Sequence, residues 1–366
     1  NDESGVIVDF SENTTIILSR IVASDVGVGL AYSLNTTIIN TTFSGCGLYV
    51  YKSFKNAVYN TYVNGKPLIY LENVAGQVIT NAGQVVAVRC QNIIINGVSV
   101  SSTTIGIELW QTNYSIISSV SANNNKRFGI YILRSTNNRI ENSTVSSNTL
   151  YGIGMVRSNN NTLLNVTIIN NAWRGVYISD SSIHNRIVRC NISDSGYAGV
   201  YIMASSNNTI TECNISRDNT GIYLYQYACY NNISFNTISY NHYGIYIRYH
   251  STNNYIYANN FIGNTYQVDV GSGDLWNTSY VGNYWSDYNG VDADGDGVGD
   301  SPYIIGPNDI DYRPLINPIY PSGDDDGDGL SNRYEVHNWM NPYLSLIHIS
   351  EPTRPRLISY AVFCLK

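Results

Sequence analysis

The sequence predicts an all-β fold, a parallel β-helix solenoid of roughly twelve coils with a C-terminal acidic extension. Three observations carry this. A glycine followed by alternating aliphatics returns at Gly106, Gly129, Gly152, Gly175, Gly199, Gly221 and Gly244, at intervals of 23, 23, 23, 24, 22 and 23 residues. A fixed period between about 20 and 50 residues marks a solenoid, propeller or array. Within each unit apolar residues alternate, as in "GIYI" at Gly129 and "GVYI" at Gly175 and Gly199, the period-two signature of a strand with one buried face. The composition agrees: 32 tyrosines and many Asn, Ser and Thr, against 13% charged residues, favour strands and turns over helices.

From the N-terminus, units at Gly5, Gly27, Gly47 and Gly83 fit the same frame with slippage. The Pro-containing stretch "NGKPLIYLENVAGQVITNAG" interrupts them. In the regular region a second short strand follows each glycine strand, as in "TLLNVTI" and "RIVRCNI". A column of Asn stands between the two, at Asn138, Asn161, Asn185, Asn208, Asn231 and Asn254. Asn tolerates left-handed backbone at tight turns and, stacked once per coil, can form amide ladders. A unit this short holds too few strands for a propeller blade, but it can wind once round a solenoid, with glycine where the chain bends into a strand. Roughly twelve coils at about 4.8 Å each give a rod of about 55–60 Å.

The coils, "VNGKPLIYLENVAGQVI" and the closing "GNYWSDYNGVDADGDGVGDSPY" together resemble the NosD-like right-handed parallel β-helix family. That family includes periplasmic NosD proteins and many surface proteins, often archaeal, and its repeat is also described as a carbohydrate-binding and sugar-hydrolysis domain. The resemblance implies residues 1–276 as β-helix, with its N-terminal part truncated, and 277–318 as the family's closing segment. Residues 319–343 read as a separate loop module. Residues 344–366, with "LSLIHISEPTR", resemble translated sequencing adapter and are set aside.

Without Glu351, Arg354, Arg356 and Lys366 the chain keeps 17 basic and 26 acidic residues, a net charge of −9. So acidic a chain is a poor match for nucleic acid phosphates. No run of 18 apolar residues spans a membrane. About a dozen Asn-x-Ser/Thr sequons, Asn13, Asn142 and Asn165 among them, are compatible with a glycosylated exterior or with chance in an Asn/Thr-rich chain.

Asp324, Asp326, Asp328, Leu330 (through its carbonyl), Asn332 and Glu335 spell D-x-D-x-D-G-x5-E around Gly329. This spacing wraps oxygen ligands round one Ca2+, with a sharp turn at the glycine and a bidentate Glu at the end. Asp292, Asp294, Asp296, Val298 and Asp300 repeat it more weakly, with Tyr303 where the closing Glu belongs. Tyr131, Tyr177, Tyr201, Tyr223 and Tyr246 form an outward-facing column interrupted by Glu108 and Gly154. Such a row is either an exposed platform for sugar faces or a ladder of rings that shield one another.

Copper would need clustered His, Met or Cys. His184, His242 and His250 sit at different places on their coils, Met155 and Met203 read as core, and Cys190 and Cys213 stand one coil apart, as stacked thiols or a disulfide. Glu108, Asp180, Asp194, Asp218 and Asp269 share no register as an acid pair for glycan cleavage. The reading is a secreted or cell-surface rod that binds a polysaccharide or cell-surface glycan without catalysis and is stabilised by Ca2+. The alternatives are a NosD-type periplasmic accessory protein in copper-enzyme (nitrous-oxide reductase) maturation and a polysaccharide lyase or hydrolase.

Overall fold

A computed structural model describes residues 4–22, 25–271 and 273–344; of the segment set aside as adapter, only Leu344 is among them. Each regular coil contributes three strands. In one coil these are Arg174–Ser179, Arg186–Val188 and Asn191–Ser193. Successive copies pair in parallel into one 13-stranded and two nine-stranded sheets. The register follows the repeat residue for residue: Val176 pairs with Val200, Val200 with Ile222, and Ile222 with Ile245. The solenoid fold expected from the period is the one observed.

The three sheets enclose stacks of Val and Ile. Val176, Val200, Ile222 and Ile245 come from the first sheet, Ile187, Ile210 and Ile233 from the second, and Ile192, Ile215 and Ile238 from the third, all fully buried. Each such side chain stabilises by roughly 1.5–3 kcal/mol on leaving water.

The glycine column has a different cause from the expected bend. None of its members has positive φ. Instead, a Cβ at Gly152, Gly175 or Gly221 would stand 2.6 Å from the carbonyl oxygen of the next coil's glycine. The beat in the sequence marks a line where any side chain would run into the backbone of the next coil.

The Asn column also differs in detail. Left-handed backbone belongs to the residue before each member, Asn137, Asn160, His184, Asn207, Tyr230 and Asn253. The column Asn are buried and form a ladder. Asn185 Oδ1 accepts from the backbone N–H of Asn161 at 3.0 Å and from its amide at 3.1 Å, while Asn185 Nδ2 donates to Ser158 O and Asn208 Oδ1. A second ladder runs through Asn125, Asn148 and Asn171, and a third through Ser135, Ser158, Ser182 and Ser205. These side chains satisfy the backbone N–H groups that the corners leave without a strand partner.

The coils do not form one continuous rod. Residues 4–63 make a short stack of three coils. At Asn64 and Gly65, with φ of 50° and 81°, the chain reverses in an Asn-Gly hairpin. Strand Lys66–Glu72 then pairs antiparallel with Tyr62–Val63 and starts the long stack. The open end of the short stack presses on the outer face of the long one, where side chains stand in for a missing strand. Leu48 N–H donates to Gln84 Oε1, Gln84 Nε2 donates back to Leu48 O, Val50 N–H donates to Glu108, and Lys55 and Asn56 N–H donate to Glu72. An edge that would otherwise invite strand pairing is thereby closed. Phe54 stacks on the buried Trp110 in the same junction.

At the far end two ladders finish on carboxylates. Asn254 donates through N–H and amide to Asp274, and Asn283 donates to Asp311. A carboxylate only accepts, so it ends a ladder without needing a further partner to donate to. Asp309 and Asp311 also accept from the indoles of Trp276 and Trp285, which seal the core. Burial raises Asp274 to about 7 and Asp311 to about 6. Among the described residues no helix is long and apolar enough to cross a membrane.

Candidate functional site

The C-terminal module, 319–343, lies along the side of the long stack. Ile319 exchanges both backbone hydrogen bonds with the Asn260 amide, Arg333 pairs with Glu212, and Val336 packs with Phe235, Ala258, Val281 and Leu315. Its helix α1, Asn332–His337, is N-capped by Ser331. Before it, Asp324, Asp326 and Asp328 converge, with carboxylate oxygens within 4.8 Å of one another. Asp324 accepts from the N–H of Asp328 and Gly329, and Asp328 accepts from the N–H of Leu330. Gly329 turns at φ 89°, a left-handed geometry that favours glycine.

Glu335 lies near these three aspartates, close enough to feel their charge, but outside the group of converging oxygens. It is fully buried and neither carboxylate oxygen has a hydrogen-bond partner. Burial, and then the neighbouring Asp326, Asp328 and Asp324, raise it to about 7. A buried carboxylate without a partner costs on the order of 1–3 kcal/mol or more, and a hard cation between Glu335 and the three aspartates would remove that penalty. Asn332 departs from the expected ligand set. Its amide donates to Asp325 and Tyr320 O and accepts from Asp325 N–H, so it fastens the loop rather than joining the three aspartates.

In the second loop Asp292, Asp294 and Asp296 also converge within 4.8 Å. Asp292 accepts from Gly295, Asp296 and Gly297 N–H, and Asp300 accepts from Ala293 N–H. Val298 is buried and bridges Leu315. Tyr303, in the closing position, stacks on Trp285 at 4.3 Å and donates to Asp287, so no carboxylate closes this loop. The C-terminal module touches the second loop through Asn341, beyond α1, which donates to Asp296 O.

The tyrosine column is not an exposed platform; of the two readings left open by the sequence, the rings shield one another. Tyr131, Tyr201 and Tyr223 are only 8%, 4% and 7% exposed, and Tyr177 and Tyr246 are half-buried. Tyr223 meets Tyr201 and Tyr246 edge-on at 4.9 and 4.8 Å. Flanking aromatics cover the column, among them Tyr151, Trp173, Tyr197 and Tyr225. Arg174 threads this band, its guanidinium 4.0 Å from the Trp173 ring and 3.9 Å from that of Tyr201. The signal for the shield was present in the aromatic residues flanking each repeat strand.

The remaining acids serve the scaffold. Asp218 accepts from Ser195 N–H inside a ladder, and burial raises it to about 7. Asp194 pairs with Arg217, and Asp269 with Arg248. Glu108, which interrupts the tyrosine column, lies buried at the junction of the two stacks, where burial raises it to about 8.

A profile of the family described as "Periplasmic copper-binding protein (NosD)" matches residues 58–210 and 191–290, more than half of the chain. The chain belongs to the NosD family. No curated protein matches it. Among solved structures, a mutant of the periplasmic alginate epimerase AlgG is 14% identical with a TM-score of 0.52, covering 75% of this chain and 77% of that one. The A-module of the Azotobacter vinelandii mannuronan C-5 epimerase AlgE6 is 15% identical with a TM-score of 0.46, covering 73% and 90%. At this identity the AlgG likeness shows the right-handed β-helix fold alone.

The copper in the family's description finds no matching donor set among the described residues. His242 packs on Tyr243 and Tyr266, His250 on Tyr227 and His337 on Phe235. Cys190 and Cys213 are free thiols stacked in a ladder, with Cys190 N–H donating to Cys213 Sγ at 3.4 Å, and Met155 is core. Among the described residues, the places where three or more His, Cys, Asp or Glu ligand atoms converge are the two aspartate loops, whose oxygens suit a hard cation rather than copper.

Proposed function

We propose that this protein is a non-catalytic carbohydrate-binding, adhesive or structural rod that acts at the cell surface or in the periplasm, its C-terminal module closed by Ca2+. The observation that carries the reading is Glu335, buried with two unpartnered oxygens and within the field of the converging Asp324, Asp326 and Asp328. Extracellular modules of this kind bind Ca2+ at about 0.1–1 mM, so the loop would fill outside the cytosol. The ladders and stacked core support the rod, since they stabilise the solenoid without any ion. Membership of the NosD family supports a periplasmic or surface setting. The copper-maturation alternative draws on the same membership, but the described His, Cys and Met side chains give it no assembled donors.

Limited proteolysis in Ca2+ and in chelator tests this. Ca2+ should protect the segment after Pro321, while residues up to about 290 resist in both conditions. A Glu335→Gln variant in Ca2+ should behave as the parent does in chelator. Equal resistance of the module with and without Ca2+ would overturn the clamp.

A further inference from the structure

We infer that Asp218 carries a proton inside the folded rod, and that losing it parts the coils on either side, so that the long stack holds a pH-operated weak point in its middle. The corner after the third strand of each coil turns one polar side chain inward. In successive coils this is Asn148, Asn171, Ser195, Asp218, Asn241 and Asn264, all buried. An amide suits the line because it offers an acceptor and a donor at once. Each Oδ1 takes a backbone N–H from the coil before: Asn171 from Asn148, Asn241 from Asp218 and Asn264 from Asn241. Each Nδ2 donates onward to the next amide oxygen and back to a carbonyl 26 residues earlier. Asn148 donates in this way to Asn171 Oδ1 and Ala122 O, and Asn241 to Asn264 Oδ1 and Ile215 O.

Asp218 keeps the first half of this pattern, but as a carboxylate it cannot keep the second. Its Oδ1 accepts from Ser195 N–H at 2.6 Å. Its Oδ2 occupies the slot of the amide nitrogen, and the glycine column marks that slot. A Cβ on Gly129, Gly152 or Gly221 would stand 2.8, 2.9 and 2.9 Å from Nδ2 of Asn148, Asn171 and Asn241, and one on Gly199 would stand 2.5 Å from Asp218 Oδ2. This Oδ2 is buried and makes no hydrogen bond. The register points the slot at Asn241 Oδ1 and Ile192 O, which are both acceptors. A carboxylate only accepts, whereas a protonated carboxyl donates, so an O–H on Oδ2 closes the ladder.

Little charge nearby steadies an anion. Asp194 and Arg217 pair with each other at the surface. The coil before presents Ser195, and the coil after presents Asn241 and the His242 ring, which packs on Tyr243 and Tyr266. Burial therefore holds Asp218 at about 7 against an ordinary 3.8. The unfolded chain ionises first, so stability falls as pH rises from about 3.8 to 7. The ladder cannot absorb the ionised form by turning one amide. If Asn241 swung its Nδ2 towards Asp218, its Oδ1 would meet Ile215 O and Asn264 Oδ1. The conflict stays with the coils of Ser195, Asp218 and Asn241, since a stacked-coil protein is stabilised interface by interface.

The test compares the full chain with Asp218→Asn, both in Ca2+ so that the C-terminal loop is the same in each. Asparagine restores the repeating amide. The infrared spectrum of the parent minus that of the variant at pH 5.5 should show a protonated carboxyl, at a pH where an ordinary aspartate is ionised. In urea unfolding the variant should favour the folded state over the parent by on the order of a thousandfold at pH 8, and the two should converge near pH 4. Native-state hydrogen exchange of the parent, corrected for intrinsic rates, should lose about tenfold in protection at residues 192–199 and 215–221 between pH 6 and pH 8. The variant should keep that protection. A carboxylate band in the difference spectrum, parallel pH profiles for the two proteins, or equal loss of protection in the variant would overturn the inference.

Discussion

Replacing Asn185 by Ala tests whether the buried amide ladder, rather than the aliphatic stack alone, holds the coils in register. The side chain makes four hydrogen bonds: it accepts from the N–H and the amide of Asn161, and it donates to Ser158 O and Asn208 Oδ1. Alanine removes all four. The Asn161 amide keeps its bond to Ser135 O, and Asn208 Oδ1 keeps the N–H of residue 185. Two groups are left most exposed to the loss, the Asn161 N–H and the Ser158 carbonyl, both buried where water does not replace the partner. At about 1–3 kcal/mol for each unsatisfied group, the variant should lose about 2–6 kcal/mol. A stacked-coil protein transmits such damage mainly to neighbouring repeats, so the assay is native-state hydrogen exchange as well as urea unfolding. Amides of residues 158–165 and 182–188 should lose protection first, and those of residues 84–110 last. The control is Asn207→Gly at an exposed left-handed position, φ 58°, which should change stability by no more than about 0.5 kcal/mol. A loss below about 1 kcal/mol for Asn185→Ala, or uniform loss of protection along the rod, would refute the ladder argument.

Three further outcomes follow from the same geometry. Gly175→Ala would place a methyl 2.6 Å from Gly199 O and 3.0 Å from Ile192 and Ser195; the nearest obstacle is backbone, so thermal unfolding should show a loss of about 1–3 kcal/mol. Glu108 is held at about 8 against an ordinary 4.5, so the unfolded chain ionises first and stability falls as pH rises from about 4.5 to 8, by about 5 kcal/mol in all. Glu108→Gln should remove that part of the slope and be the more stable protein at pH 8; parallel stability–pH curves for parent and variant would contradict it. Arg174→Met keeps the packing but removes the cation from the Trp173 and Tyr201 rings, and urea unfolding should report a loss of about 1–2 kcal/mol.

The sequence by itself determined the repeating unit and its register, because a side-chain period of two and a coil period near 23 leave one way to bury Val176, Ile187 and Ile192 together; that the stretch "RIVRCNI" divides into two strands, Arg186–Val188 and Asn191–Ser193, came from the structure. It also carried the acidic loop, since a ligand set contained in twelve residues is a local property of the chain. The stretch from Asn64 reads in the sequence only as an interruption of the repeat; that it is a chain reversal came from the structure. What tertiary structure decided was every feature that depends on a neighbour remote in sequence. Left-handed backbone at Arg189, Glu212 and Phe235 has no local signal, because the coils above and below impose it. Tyr201 and Tyr223 alternate like exposed strand residues, yet flanking rings cover them. Glu108 looks like a stray acid in an aromatic column, and only the side-on packing of the first three coils makes it the partner of Val50 N–H. Asn332 fits the ligand spacing, but Asp325 and Tyr320 claim its amide. Period and spacing report which face a residue occupies; what covers that face is settled by chain segments tens of residues away.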